Sequence, residues 1–248
     1  MRPKNFISKM QRKVAISAVG PSAVRGRKGG KIIKVVHDFL AETGLASVPR
    51  TRQAEFLDWL DQRTSALQDR LPARRGKKRP RRPWGIARKA INLFLRDAVY
   101  NKYLSGRFGL DRLEAWLELP LDSQVARRLR QFRRCCYKCR AAKRSPSRRS
   151  SGEVWQTDCV CLGWSIAERK RENMVWPGLR DLVPKESKRF QKCASILACL
   201  SGTKAVDLDL YLWRSEPNHA SRASSETDRC LARPWLRSME LPRPKLIQ

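Results

Sequence analysis

Negative charge is scarce in this chain. Its 248 residues hold 23 Asp and Glu against 54 Lys and Arg, a formal charge of +31. That excess is larger than solubility requires, and its natural partner is a polyanion, bound by release of condensed counterions. Nucleic acid is the expected partner. Histidine is nearly absent as well. His37 and His219 are too isolated to act as metal ligands, and His37, inside an apolar helical stretch, reads as structural. Long apolar runs are missing: nothing approaches the roughly 18 residues of a membrane span. No basic segment has a clean apolar opposite face, so a membrane surface is a poor partner. The apolar stretch 14–19 runs into Gly20-Pro21 and is too short for a signal peptide. A cytoplasmic location with reduced thiols is therefore expected, and the eight cysteines are free or metal-bound rather than a disulfide frame. Gly20, Gly26, Gly29 and Gly30 lie close together but do not spell the phosphate loop G-x-x-x-x-G-K-[ST].

What is present is a helical pattern. Hydrophobic residues make up 41% of the chain, enough for a core in one large or two small domains. Residues 1–30 are basic and Gly/Ser-rich and read as an arm. Ile32, Ile33, Val35, Val36, Phe39 and Leu40 recur at helical spacing and predict a helix over 31–43. Phe56, Leu57, Trp59, Leu60 and Leu67 predict another over 53–68. The stretch 74–82 is nearly all Lys, Arg, Gly and Pro, an exposed connector. A long helix is expected over 86–104, with Ile91, Phe94, Leu95, Ala98 and Val99 as its stripe. Shorter helices follow over 111–117 and 123–132. Residues 133–175 carry Cys135, Cys136, Cys139, Cys159 and Cys161 among many Arg and Ser, without a sustained apolar period. Pro184 suits the first turn of a helix running to Leu200. The segment 205–214 alternates like a strand but has no partner strand, so helix is expected. Residues 215–248 read as a flexible tail. The expected fold is all-α: two helical subdomains built from 31–132 and 176–214, a helix-hairpin-helix-like element between them, and the basic irregular segment as an insertion.

Two short segments carry the chemistry. Trp84-Gly85-Ile86-Ala87-Arg88-Lys89-Ala90 puts a lysine at the start of an apolar helix. Leu119-Pro120-Leu121-Asp122-Ser123-Gln124-Val125 puts an aspartate at the start of another. The first resembles the hairpin and following helix of the helix-hairpin-helix DNA glycosylases, where Pro-Gly-Val-Gly precedes a nucleophilic lysine. Here Trp84 stands for the Pro and Ala87 for the second Gly. The second resembles that family's apolar-Pro-Val-Asp signature, whose aspartate assists catalysis. The separation of 33 residues is similar to that of the archaeal 8-oxoguanine glycosylases. Leu208-Asp209-Leu210-Tyr211-Leu212-Trp213 is similar to the final helix of those enzymes, in which an aspartate and a tryptophan four residues on line the base pocket. The iron–sulfur spacing of endonuclease III-like members is absent.

The resemblance implies a DNA glycosylase with accompanying lyase activity, acting as a monomer on duplex DNA that carries an oxidised or otherwise modified base. No cofactor is implied. Lys89 would be the nucleophile and Asp122 its assistant. Asp209 and Trp213 would recognise the base. Phe94, about one turn beyond Lys89, is either core or a stacking surface for that base. Gly85 and Arg88, with Arg79, Arg81 and Arg82 just before them, would hold the DNA backbone. A base inside a duplex is out of reach, so such an enzyme must flip it into a pocket. An amine attacks only when unprotonated, so the site must favour loss of the ammonium proton. Each residue also has a plainer reading. Lys89 alone is a surface lysine, Asp122 an N-cap, Asp209 an exposed helix residue and Trp213 a core aromatic. Cys136, Cys139, Cys159 and Cys161 offer four thiolates to zinc, but the second spacing is unusual and free thiols are the simpler expectation. The rival function is a non-enzymatic nucleic-acid-binding protein, with a zinc module in the cysteine segment.

Overall fold

The computed structural model describes residues 3–21, 29–73, 82–130, 174–201 and 203–214. Among them every regular element is helical and no strand occurs: α1 Pro3–Ala18, α2 Gly29–Glu42, α3 Gln53–Arg70, α4 Trp84–Tyr100, α5 Lys102–Phe108, α6 over 123–130, α7 Pro184–Ser201 and α8 Leu208–Arg214. Short 3-10 turns occupy Leu45–Ser47, Leu110–Leu113 and Ala205–Asp207. The fold class is all-α. No helix among the described residues is long and apolar enough to cross a membrane. The chain divides into two compact units, 1–123 with 175–188 and 124–174 with 189–248. The boundaries thus fall within α6 and α7 rather than at the edges of the expected segments.

The first unit is organised around α4, which packs against α1, α2, α3 and α5. Thirteen of its 17 residues are buried, so it is a central helix with neighbours on nearly every side rather than a one-faced surface helix. Ile86, Ala87, Ile91, Phe94, Leu95 and Ala98 of α4 are buried, as are Phe56, Leu60 and Leu67 of α3 and Leu40 of α2, two of the helices that pack on it. In the second unit Phe190, Cys193, Ala194 and Leu197 of α7 are buried, as are Val125, Ala126 and Leu129 of α6. The Cys193 thiol points at the Leu129 carbonyl, 3.8 Å away.

The N-terminal segment is not an arm. It forms α1, with Val14, Ala15 and Val19 buried and Lys9, Arg12 and Lys13 outward. Gln11 explains why this basic stretch docks. Its Nε2 donates to the carbonyls of Leu40, Ala41 and Thr43, at 3.3, 2.9 and 2.6 Å, where α2 ends. His37 is structural as expected: its Nε2 lies 2.9 Å from the Val19 carbonyl.

The long helix expected over 86–104 is two helices. Asn101 divides them, its side chain accepting from the N–H groups of Tyr103 and Leu104 at 3.1 Å each, a strong N-cap at the head of α5. Gly109 ends α5 in the left-handed conformation at φ 61°. The helix expected over 111–117 is only the 3-10 turn Leu110–Leu113. Helices begin at Pro184 and in 205–214 as the pattern predicts, the latter through a 3-10 turn.

Candidate active site

α4 begins at Trp84, with Pro83 as its N-cap. Trp84-Gly85-Ile86-Ala87 is therefore the first turn of the helix itself, not a hairpin leading into it. Gly85 is buried in that turn. A Cβ there would lie 2.2 Å from the Leu179 carbonyl oxygen and 2.7 Å from Leu182 Cβ. The glycine serves close packing of Leu179 and Leu182 on α4, and its predicted contact with a DNA phosphate is ruled out by that cover.

Arg88 is also not a DNA contact. Its side chain is 8% exposed and points inward. Nε and Nη2 fork onto Glu118 at 2.8 and 2.7 Å, and Nη1 meets Asp61 Oδ1 at 2.6 Å and Thr64 Oγ1 at 3.1 Å. Two parallel bonds to one carboxylate are the strongest form of this pairing. The Trp84 ring covers the guanidinium, 5.6 Å from its centroid. Burial disfavours the charge, but the hydrogen bonds and charges of Glu118 and Asp61 outweigh it and raise the guanidinium above its already alkaline ordinary value. Asn92, one turn on, donates at 3.0 Å to Glu118 Oε2, the same oxygen that accepts from Arg88 Nε. Its own Oδ1 is buried without a donor among the described residues.

Beside this cluster, Lys89 meets Asp122. Nζ lies 3.2 Å from Oδ2, and the two side chains are 13% and 15% exposed. Lys89 stands in the second turn of α4, and Asp122 immediately precedes α6. Leu119, Pro120 and Leu121 are buried and anchor the segment that carries Asp122. The spacing has a simple logic. Adjacent Arg88 and Lys89 face carboxylates four residues apart, Glu118 and Asp122. The influence of a helix end fades within its first turn, so the aspartate, rather than the end of α4, dominates the surroundings of Lys89.

The other predicted residues scatter. Phe94 is fully buried among the core side chains of α4 and is no stacking surface for a base. Arg82 is exposed and lies 3.6 Å from Asp69. Arg79 and Arg81 lie outside the described residues, as do Cys136, Cys139, Cys159 and Cys161, and the tail over 215–248. Asp209 is half-buried on α8; Trp213 follows four residues later on the same helix, with its side chain outside the described residues. Among the described residues no group of acidic, His or Cys side chains is arranged to hold a metal ion. Glu118, Asp61, Thr64 and Asn92 were not anticipated. The available signal was Glu118, four residues before Asp122 in a segment whose alternate residues are leucines.

No protein-family model matches the chain, and no curated protein and no solved structure is similar to it.

Proposed function

We propose that this chain is a DNA glycosylase with lyase activity, with Lys89 as nucleophile and Asp122 as its carboxylate partner. One observation carries the reading. A lysine and an aspartate singled out by two separate motifs, 33 residues apart, meet at 3.2 Å in a largely enclosed place. The charge of +31 supplies the affinity for a polyanion. In the reaction Lys89 Nζ attacks the anomeric carbon of the flipped nucleotide. The bond from that carbon to the base breaks, and the base leaves with the electron pair and takes up a proton. Asp122 stabilises the cationic sugar and accepts protons from Nζ as the ring opens to a Schiff base. Loss of a proton from the neighbouring carbon then expels the 3′ phosphate, and water releases the enzyme. The modified base is an oxidised purine in the reading taken from the resemblance; a hypermodified base, as in invading phage DNA, is the alternative substrate.

Borohydride trapping tests this on duplexes carrying 8-oxoguanine, uracil, an abasic site or a hypermodified cytosine. A covalent adduct that Lys89→Gln abolishes is the expected result. No adduct and no base release on any duplex would refute it. The burial of Gly85 and Arg88 favours one rival, since both were to grip DNA: a basic nucleic-acid-binding protein without catalysis. That protein would bind undamaged DNA equally well with and without Lys89.

A further inference from the structure

The face shared by α1 and α5 is not used by the lysine–aspartate pair. On α5, Tyr103, Gly106 and Arg107 stand at i, i+3 and i+4, one side of a helix, and all three are exposed. Tyr103 is 53% exposed, yet its ring is held in place. Phe6 of α1 meets it edge-on, with centroids 5.0 Å apart and planes at 84°. Such a contact fixes a ring without covering both of its faces. A Cβ added at Gly106, one turn on, would meet nothing within 4 Å, so the helix surface there is uncovered. On α1, Phe6, Lys9 and Lys13 follow at i, i+3 and i+7 along one flank, and both lysines are exposed. Neither α1 nor α5 contains an acidic residue. The platform is firmly mounted, since α1 is tied to α2 by Gln11 and packs on α4.

We propose that this face binds a single strand of nucleic acid, one base stacking on Tyr103 while Lys9, Lys13 and Arg107 meet its phosphates. An exposed aromatic ring on a face of two helices that carry cations and no acidic residue suits a strand whose bases are unpaired, because every base offers a flat face to stack. A duplex keeps its bases stacked on one another and gains nothing from the ring. The site is separate from Lys89 and does not depend on the chemistry proposed there.

The test is fluorescence anisotropy of the full-length protein with a labelled oligothymidylate, and with a strand of equal phosphate number that lacks bases. Tyr103→Ala should weaken binding of the first by about fivefold to a hundredfold, the loss of one stack, and leave the second unchanged. Tyr103→Phe should bind as the natural protein does. Replacing Lys9, Lys13 and Arg107 with Gln together should weaken both strands and flatten the log–log salt dependence by about 2, at ~0.7 per phosphate contact. Lys89→Gln should leave every one of these values unchanged, so failure of the enzymatic reading and failure of this one are separate results. A 5-iodouracil strand should crosslink to Tyr103. Tyr103→Ala binding the oligothymidylate like the natural protein, or crosslinks mapping only elsewhere, would overturn the proposal.

Discussion

Arg88 is the residue whose removal should cost this protein most among its polar groups, and the cost should follow burial rather than the number of charges removed. Arg88→Met deletes the guanidinium and leaves Glu118, 15% exposed, facing Asn92 without its cation. Stranding one member of a buried ion pair costs about 3–5 kcal/mol. Glu118→Gln keeps the shape and leaves Arg88 its bond to Asp61, so a smaller cost of about 1.5–3 kcal/mol is expected, the worth of hydrogen bonds to a charged group. Asp61 is 55% exposed. Water screens its pairing with Arg88, and Asp61→Asn should cost less than about 1 kcal/mol. Urea unfolding followed by tryptophan fluorescence measures all three, with midpoint shifts compared at constant m. The order Arg88→Met, Glu118→Gln, Asp61→Asn is the prediction. Equal costs for Asp61→Asn and Arg88→Met, or a cost for Arg88→Met under about 0.5 kcal/mol, would refute the view that burial sets the strength of this cluster.

The same cluster fixes a pH response. A raised folded-state value means that the stabilisation is complete below the unfolded value and is lost only as pH rises through the folded one. A guanidinium does not deprotonate in proteins, so the Arg88→Met cost should be equal at about pH 7 and about pH 10; a halving by the higher pH would contradict it. Gly85→Ala should destabilise by about 1–3 kcal/mol, because its Cβ would collide with the Leu179 carbonyl, and thermal unfolding would expose a neutral result. Phe94→Ala should cost about 3–5 kcal/mol in the urea assay, as expected of a core ring; a surface stacking residue would cost far less. Asn101→Ala removes two capping bonds at the head of α5 and should lower stability by about 1 kcal/mol, with little change in the amide protection of α4.

Much of the helical layout was legible because apolar spacing is a local property. The stripes of α2, α3 and α4 stand in the sequence at the period of the helix, and Pro184 marks a helix start. The errors have physical causes. α1 was hidden because docking rests on Val14, Ala15 and one glutamine whose acceptors lie about 30 residues away, beyond the reach of periodicity. The split at Asn101 was overlooked because apolar spacing continues across it while the cap is a single side chain. The burial of Arg88 runs against its sequence surroundings, where a basic residue in a basic chain suggests solvent or phosphate. Only tertiary structure brings Glu118 and Asp61 to it, from 30 and 27 residues away. The meeting of Lys89 and Asp122 was accessible for a different reason: it was read from paired motifs, not from either residue's own surroundings.

That meeting also orders the steps of the proposed reaction. In the ion pair the lysine proton is held between Nζ and Oδ2 at 3.2 Å, and an amine that holds its proton has no free electron pair to attack with. The charge of Arg88 is matched by Glu118 and Asp61. In the proposed reaction the lysine proton must leave Nζ before attack. A proton passed from Nζ to solvent or to the departing base frees the amine and leaves Asp122 a carboxylate facing the sugar carbon where positive charge develops. Asp122→Asn accordingly removes both the proton acceptor and the stabilising charge, and should slow base release far more than it weakens binding of duplex DNA.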